Sequence, residues 1–432
     1  MQEFITRRSK LAAQLLNNSV AILFGAQLQT RNGDVEYPFR QDSDFYYLSG
    51  FAEPAAVMVL CKNEQGKVTY IIFNQPNDPE AEIWNGKRAG QAGACKDYLA
   101  DKAYDIAKLD AELPLLLANQ QVIYFSIGAK TETDQQVSKW LNAAKRNRET
   151  TRVPDTIIDL KPILHELRLF KSTQEIEYMR QAAQISASGH LKLMQNCQAG
   201  LLEYQLEAIF NAHCLQHGCR GLAYSSIVAG GNNSCTLHYI ANDQILREGD
   251  LVLVDAGGEY NYYAADITRT FPVNGKFSAE QKLIYNLVLQ AQLAGIEQVK
   301  PGNTWDRVQE TMVQIIVAGL VELKILTGDV KQLIKDNAYK KFYMHSSGHW
   351  LGMDVHDVGK YKLQGKWRKF EPGMVLTVEP GIYIANTLSG IDKKWFGIGV
   401  RIEDDVLVTK DGNEVLSVSA PKQIAEIESA AI

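Results

Sequence analysis

Four acidic residues lie in or next to apolar, strand-like segments of this chain, where a cation could compensate their charge. They are Asp255 in Leu251-Val-Leu-Val-Asp255, Asp266 in Ala264-Ala265-Asp266, Glu379 in Met374-Val-Leu-Thr-Val-Glu379, and Glu403 in Gly399-Val-Arg-Ile-Glu403. A buried carboxylate is costly unless its charge is compensated. Alone, Asp255 would be interpreted as a hydrogen-bond acceptor in a turn, and Glu403 as part of a solvated strand. The four together favour a cation site.

Asp255 and Asp266 are expected to face each other across a hairpin. If the chain reverses at Tyr260-Asn261, the two are cross-strand partners with Cβ atoms ~4.5–5.5 Å apart. Like charges at that distance are destabilising, and a cation between them would remove the repulsion. Gly257-Gly258 is a possible bulge that would shift this register.

Histidines add neutral ligands to the acidic set. His345, His349 and His356 fall within twelve residues of a glycine-containing segment. The spacing of His345 and His349 is that of a helical zinc pair, but the glycines argue against a helix and the HExxH glutamate is absent. His238 is a weaker candidate.

The predicted metal ligands come from the four acidic segments and from the histidine segment. They are Asp255, Asp266, His349, Glu379 and Glu403. Four carboxylates and one imidazole suit manganese, cobalt or zinc in a two-metal site better than a single structural zinc. Without a cation, like charges raise one another's pKa. Two divalent cations would neutralise them and lower the pKa of a bridging water.

Helix signals place these residues in the later part of the chain. Capping boxes at Ser172–Glu175 and Ser278–Gln281 each open a long helix, the first running to about residue 195. Further helices are predicted over 201–216 and 304–326. Strand-like segments follow each helix pair, so the order helix, helix, strand pair occurs twice.

The earlier part of the chain alternates strand-like and helix-like segments, which predicts an α/β domain. The predicted strands are Val20–Phe24, Val57–Leu60, Val68–Phe73 and Val122–Phe125, and the predicted helices lie near 97–104 and 134–145. No glycine-rich phosphate loop occurs in this part.

Composition excludes several classes of protein. The chain of 432 residues is 46% hydrophobic and 22% charged, as in ordinary globular proteins. A net charge of −5 gives no electrostatic footprint for nucleic acid. No segment approaches the ~20 apolar residues that span a membrane. The six cysteines lack CxxC spacing and predict reduced thiols and a cytoplasmic location.

The segments that carry these residues resemble one enzyme family. They are LVLVDAGGEYNYYAADITRTFPVNGKF, SSGHWLGMDVHDVG, GMVLTVEPGIYI and GVRIEDDVLV. They look like Xaa-Pro aminopeptidase (aminopeptidase P), a pita-bread metallopeptidase related to prolidase and methionine aminopeptidase. The segment YPFRQDSDFYYLSG resembles that family's non-catalytic domain.

The resemblance implies two domains. Residues 1–168 would form an α/β domain that serves substrate access or oligomerisation. Residues 169–432 would form an α+β pita-bread (creatinase/aminopeptidase-like) catalytic domain. Such enzymes are often oligomers, so a homodimer or homotetramer is expected.

The resemblance also implies the metal arrangement and the reaction. Two divalent ions are expected, most commonly Mn²⁺, with Co²⁺ or Zn²⁺ as alternatives. Asp255 would chelate one ion, Asp266 and Glu403 would bridge, and His349 and Glu379 would hold the other. A hydroxide that bridges the ions would attack the bond before proline in peptides whose second residue is proline.

Further residues receive roles on the same basis. Glu379 would relay a proton as general base and then acid, and His356 would stabilise the oxyanion. His238 would hydrogen-bond substrate or the leaving nitrogen. Arg401 would orient the ligands.

The remaining expectations concern substrate contacts. His345 would line the proline pocket, and Tyr383 and Trp84 would contact substrate, Trp84 in a neighbouring subunit's site. The basic residues Lys366, Arg368 and Lys369 are candidates for binding the far end of the peptide.

Two alternatives remain open at this stage. Prolidase uses the same ligand set but cleaves only X-Pro dipeptides; His349-Trp350 and the hairpin favour the aminopeptidase. A non-catalytic protein-binding member of the fold is the other, and members of that kind have usually lost metal ligands. All five ligands are present here.

Overall fold

The structure is a computed structural model and describes residues 1–147 and 152–431 of the chain. Its internal contacts divide the chain into two compact units, Met1–Arg168 and Leu169–Ile432.

The first unit is built on a mixed six-stranded sheet. In spatial order its strands are Lys102–Asp105, Val68–Asn74, Val57–Lys62, Ser19–Phe24, Val122–Phe125 and Thr156–Asp159. A small hairpin joins Thr30–Asn32 to Val35–Glu36. The helices are Gln2–Gln14, Ser43–Ser49, Pro79–Asn85, Gly90–Lys96, Leu109–Leu117, Thr131–Arg146 and Lys161–Leu169.

The helix predicted near 134–145 is confirmed as Thr131–Arg146. It buries Val137, Trp140 and Ala144 at helical spacing, and Trp140 stacks on Phe24 of the sheet with ring centroids 6.1 Å apart.

The helix predicted near 97–104 is wrong. The helix in this region is Gly90–Lys96, and Lys102–Asp105 is a strand that pairs in parallel with Ile71–Asn74. The Asp101 carboxylate accepts a hydrogen bond from the Tyr70 N–H. Pairing with a distant strand therefore overrides the local helical pattern.

The second unit repeats helices and strands in the predicted order. Its helices are Thr173–Asn196, Glu203–Gln216, Ala279–Gln298, Trp305–Glu322, Val330–Lys335 and Ile424–Ala430. Its strands are Gly221–Leu222, Ile227–Gly230, Leu251–Asp255, Gly258–Tyr260, Tyr263–Ala264, Thr268–Pro272, Lys362–Leu363, Lys366–Trp367, Val375–Val378, Gly381–Ile384, Ile398–Arg401, Asp404–Val408 and Asn413–Val415.

Both predicted capping boxes are confirmed. The Ser172 hydroxyl accepts from the Glu175 N–H, and the Glu175 carboxylate accepts from the Ser172 N–H. Ser278 and Gln281 form the same reciprocal pair at the start of Ala279–Gln298. Each box satisfies two of the backbone donors that a helix start leaves unpaired.

Two antiparallel sheets carry the acidic residues. Leu251–Asp255 lies between Ile227–Gly230 and Thr268–Pro272, so Asp255 ends the central strand of one sheet. Val375–Val378 pairs with Asp404–Val408 in the other. Glu379 and Glu403 adjoin these two strands at the same end.

The predicted hairpin register is wrong, because the turn lies one residue later than the predicted Tyr260-Asn261. Asp255 pairs with Thr268, not with Asp266. The chain reverses at Asn261-Tyr262, where both residues have positive φ, 49° and 70°, as in the two-residue turns that match strand twist. The sequence does not show this, because neither residue is the glycine that usually marks such a turn.

No helix in the described part of the chain is long and apolar enough to cross a membrane.

Candidate metal centre

The five predicted metal ligands all line one cavity of about 770 Å³ in the second unit. They come from separate stretches of the chain, the ends of the two sheets and the loop that contains His349. The cavity is therefore the place where the chemistry predicted from these residues would occur.

Asp255 and Asp266 are joined by a tyrosine. The Tyr224 hydroxyl lies 2.6 Å from an oxygen of each carboxylate. The other Asp255 oxygen accepts a hydrogen bond from Arg401 Nη2 at 2.7 Å. The two aspartates thus converge although they are not cross-strand partners.

His349 presents one ring nitrogen to the carboxylates. Its Nδ1–H donates to the Trp350 carbonyl at 3.0 Å, so Nε2 is the free ligand atom. Nε2 lies 3.3 Å from Asp266 Oδ2 and 3.7 Å from Glu379 Oε1. The backbone N–H of His349 donates to Thr377 Oγ1, which fixes the loop against the second sheet.

Glu379 and Glu403 complete the cluster. The Glu379 N–H donates to the Ser347 carbonyl, so the turn before Pro380 is tied to the histidine loop. Glu403 Oε2 accepts from the Thr268 hydroxyl at 2.6 Å. One ligand atom each of Asp266, His349 and Glu403 lies within 4.8 Å of the others.

Burial and mutual repulsion perturb the acids strongly. Burial raises the pKa of Glu379 to about 7 although His349 and Arg401 oppose the shift. Burial, with Asp266 nearby, raises the pKa of Glu403 well above its usual range. Burial disfavours the charge on His349, but the hydrogen-bonded Asp266 outweighs it and raises the His349 pKa to about 9.

These residues fit divalent cations. Ligand atoms around one ion with bonds of ~2.0–2.3 Å lie up to about 4.5 Å apart, close to the spacing of the cluster. Burial and mutual repulsion disfavour the charged form of Glu379 and Glu403, and because a bound cation acts in the opposite direction, metal binding should compete with protons at these carboxylates.

A hydrogen-bonded chain leads away from Asp255. Arg401 donates from Nη1 to the Tyr383 oxygen at 3.0 Å, and the Tyr383 hydroxyl lies 2.8 Å from His345 Nε2. His345 Nδ1 donates to the Ser346 carbonyl, so Nε2 accepts from Tyr383. Burial, with Arg401 nearby, lowers the pKa of His345 to about 4. Neutral His345 is thus fixed as an acceptor.

His238 and His356 lie at the exposed side of the cavity. Both line it and both are exposed. The His356 ring contacts the His349 ring edge to face, with centroids 4.2 Å apart. Burial, with His349 nearby, lowers the pKa of His356, which favours the neutral ring.

The segment 366–369 contributes less charge to the cavity than expected. Trp367 lines the cavity, and the Lys362 ammonium lies over its ring at 4.3 Å. Arg368 is buried, and its guanidinium lies 3.6 Å from Glu371. Lys362, which was not predicted, is therefore a cation at the cavity wall.

Trp84 lies in the first unit, on the helix Pro79–Asn85, and is 87% exposed. Its contact with substrate stays a prediction.

Sequence reasoning missed Tyr224 and Thr268. The Thr268 hydroxyl bonds Glu403 and also accepts from Arg401 Nε at 3.0 Å. Neither residue has a local signal, because each acts through partners 31 to 135 positions away. The correct hairpin register would have indicated Thr268 as the partner of Asp255.

Comparison with known proteins gives consistent matches. Residues 177–410 match metallopeptidase family M24, and residues 4–124 match the aminopeptidase P N-terminal domain. The Xaa-Pro aminopeptidases of Escherichia coli and Haemophilus influenzae are 45% and 47% identical, over 99% of this chain and 97% and 96% of theirs.

Solved structures agree with these matches. Pseudomonas aeruginosa aminopeptidase PepP has 49% identity and a TM-score of 0.97, over 99% of this chain and 97% of that one. A variant of E. coli aminopeptidase P in complex with substrate has 44% identity, the same TM-score and the same coverage.

Proposed function

The chain belongs to metallopeptidase family M24, and from this membership we propose that it is an Xaa-Pro aminopeptidase that removes the first residue of peptides with proline second. The observation that carries the proposal is the convergence of Asp255, Asp266, His349, Glu379 and Glu403 in one cavity. Full-length identity of 45–47% to Xaa-Pro aminopeptidases supports the same substrate class.

The cluster would bind two divalent ions, most commonly Mn²⁺, with Co²⁺ or Zn²⁺ as alternatives. When bound, such ions supply Lewis-acid activation of a water and of the scissile carbonyl. Asp266 and Glu403 would help to hold the ions together with His349, because one ligand atom of each of the three lies within 4.8 Å of the others.

The protein's own groups would then move protons and stabilise charge. Glu379 would accept a proton from the attacking water at a carboxylate oxygen and pass it to the leaving nitrogen. His356 would donate to the developing oxyanion. His238 would hydrogen-bond the substrate or its leaving nitrogen. Arg401 would hold Asp255 in orientation through their 2.7 Å contact.

Substrate contacts follow the cavity walls. His345, which lines the cavity, would form the side against which proline packs. Tyr383 is buried and outside the cavity lining, so its proposed role in substrate binding would act through its hydrogen bond to His345. Trp84 is proposed to reach a neighbouring subunit's site, which requires a homodimer or homotetramer.

The activity is tested with three peptides that differ in length or at one position. We expect cleavage of an X-Pro-X tripeptide at the first bond, little cleavage of an X-Ala-X tripeptide, and slower turnover of an X-Pro dipeptide. Strong preference for the dipeptide would instead establish prolidase. Glu379→Gln should lose at least ~100-fold in kcat, whereas Glu310→Gln, at an exposed carboxylate, should leave it unchanged.

The metal is tested separately. Chelation should abolish activity, and adding back Mn²⁺, Co²⁺ or Zn²⁺ singly should show which ion restores it best. Metal analysis of gently purified protein should find two ions per chain. One ion per chain in fully active protein would contradict the two-metal proposal.

The assembly, the location and the role of the first unit are also part of the proposal. We place the enzyme in the cytoplasm, with peptides as partners and no role for nucleic acid or membrane. Residues 1–168 would control substrate access or assembly. Light scattering should give the mass of two or four chains, and Trp84→Ala should raise KM without changing that mass.

A further inference from the structure

We infer that Glu203 is a positioning residue that fixes the cavity-lining segment 231–244 and, through it, His238. This inference rests on the proposed function, in which His238 contacts the substrate. Glu203 is the first residue of the helix Glu203–Gln216, and it does not line the cavity itself.

The Glu203 carboxylate accepts four hydrogen bonds. Oε1 accepts from the Gly230 N–H at 2.8 Å and from Asn233 Nδ2 at 3.1 Å. Oε2 accepts from the Tyr239 hydroxyl at 2.8 Å and from the Gln244 N–H at 2.9 Å. The Glu203 N–H donates to the Gln244 carbonyl at 3.0 Å. One side chain thus joins both ends of the segment and its middle.

In the part of the chain that the structure describes, the groups that hydrogen-bond the Glu203 carboxylate are neutral dipoles. The residue is 0% exposed, and all four donors are neutral amide or hydroxyl groups. Its position in the first turn of a helix adds the favourable end of the helix dipole. A buried carboxylate with this many bonds is costly to disturb, because each donor left without its acceptor would be desolvated and unpaired.

His238 depends on this anchoring for its position. Leu237, His238 and Ile240 of the segment line the cavity. Within the described part of the chain the His238 ring makes no hydrogen bond of its own, so the backbone sets where the imidazole lies. Tyr239, whose hydroxyl donates to Glu203, directly follows His238 in the chain, so this bond restrains the backbone next to the imidazole. A second tether, Asn242, bonds the Val228 N–H and the Ser226 carbonyl.

The test is a double-mutant cycle with His238. Glu203→Gln keeps the shape but replaces one acceptor oxygen by a donor, so two of the four bonds are lost. We expect a roughly tenfold loss in kcat/KM for the X-Pro-X tripeptide in the wild-type background, and less than about twofold in the His238→Ala background. Equal losses in both backgrounds would overturn the inference.

The matched control is Asp243→Asn. Asp243 is an exposed carboxylate of the same segment, and it contacts the same Tyr239 hydroxyl at 3.4 Å. The Asp243→Asn variant should leave kcat/KM for the X-Pro-X tripeptide unchanged. Tyr239→Phe, which removes one of the four bonds, is the milder variant if Glu203→Gln does not fold, and its loss should also vanish in the His238→Ala background.

Hydrogen exchange gives a readout that does not need activity. Glu203→Gln should speed amide exchange within 231–244 and leave the strands Leu251–Asp255 and Val375–Val378 unchanged, with unchanged Mn²⁺ affinity. Unchanged exchange in 231–244 would overturn the anchoring even if the wild type cleaves X-Pro peptides. If the wild type does not cleave X-Pro peptides, the proposed function is refuted. The exchange measurement would still test, independently, whether Glu203 anchors the segment 231–244.

Discussion

At the scale of single residues, Tyr224 controls how two acidic ligands are presented. Its hydroxyl carries one proton and lies 2.6 Å from both Asp255 and Asp266. Burial and the neighbouring carboxylates raise the pKa of Tyr224 well above its usual value, so it stays a donor at all working pH values. With its one proton the hydroxyl donates to one carboxylate at a time, and its 2.6 Å contacts with both bring the two acidic side chains together.

We therefore expect Tyr224→Phe to weaken metal binding. Groups that orient metal ligands typically contribute ~10–100-fold in affinity, and calorimetric titration of Mn²⁺ into metal-free protein would measure the change. Tyr204→Phe, at an exposed position on the helix Glu203–Gln216, is the control. Wild-type affinity in Tyr224→Phe would show that the aspartates are positioned by Arg401 and the strands alone.

At the scale of elements, the hairpin after Asp255 depends on a close backbone approach. A Cβ at Gly257 would lie 1.8 Å from the Ala265 carbonyl oxygen and 3.2 Å from the Asp266 nitrogen. No side chain fits there without moving the segment that carries Asp266. The Asp266 N–H also donates to the buried Asp405 carboxylate, so this segment is fixed from both sides.

Gly257→Ala should accordingly damage both stability and the site. Overpacking of this kind costs about 1–3 kcal/mol or more, and the displaced Asp266 should lower metal affinity as well. Urea unfolding of the metal-free protein and Mn²⁺ titration would measure the two effects. Gly221→Ala is the control, since a Cβ at Gly221 meets nothing within 4 Å. Equal stabilities of the two variants would contradict the argument.

At the scale of the whole molecule, each of the two compact units has a buried hydrophobic core of its own. In the first unit, Asp44 accepts from Arg168 at 2.8 Å and lies 3.7 Å from His165, and both partners belong to the last helix of that unit. Burial opposes the Asp44 charge, but His165 and Arg168 outweigh it and lower its pKa to about 2.

This pKa predicts a loss of stability in acid. In the unfolded chain Asp44 should titrate near ~3.9, so its contribution is complete above about pH 4 and disappears as pH falls towards about 2. The shift corresponds to about 2–3 kcal/mol. Asp44→Asn should therefore reduce the free energy of unfolding at pH 7 and differ little from wild type near pH 2.

Urea titrations of both proteins across this pH range would measure the difference. Asp34→Asn, at an exposed site, should match wild type throughout. A deficit of Asp44→Asn that is independent of pH would show that lost packing, not lost charge, is responsible.

The sequence alone determined the identity of the fold, and it predicted the types of ligand. Capping boxes at Ser172 and Ser278 are local patterns, and both formed as predicted. The fold class expected from the resemblance, an α/β domain before a pita-bread domain, is confirmed by the family matches and by the similarity to aminopeptidase P structures. The expected family and enzyme class are confirmed by the same matches.

Only the tertiary structure decided which distant residues meet. The Thr268 partner of Asp255, the Tyr224 bridge, the anchor at Glu203 and the strand Lys102–Asp105 each depend on contacts between segments remote in sequence. Hydrophobic periodicity and capping patterns reflect interactions within about four residues, so they cannot predict contacts between segments that are remote in sequence. Long-range hydrogen bonds and strand register are set by the path of the whole chain, and the geometry that a metal or a substrate would meet is set with them.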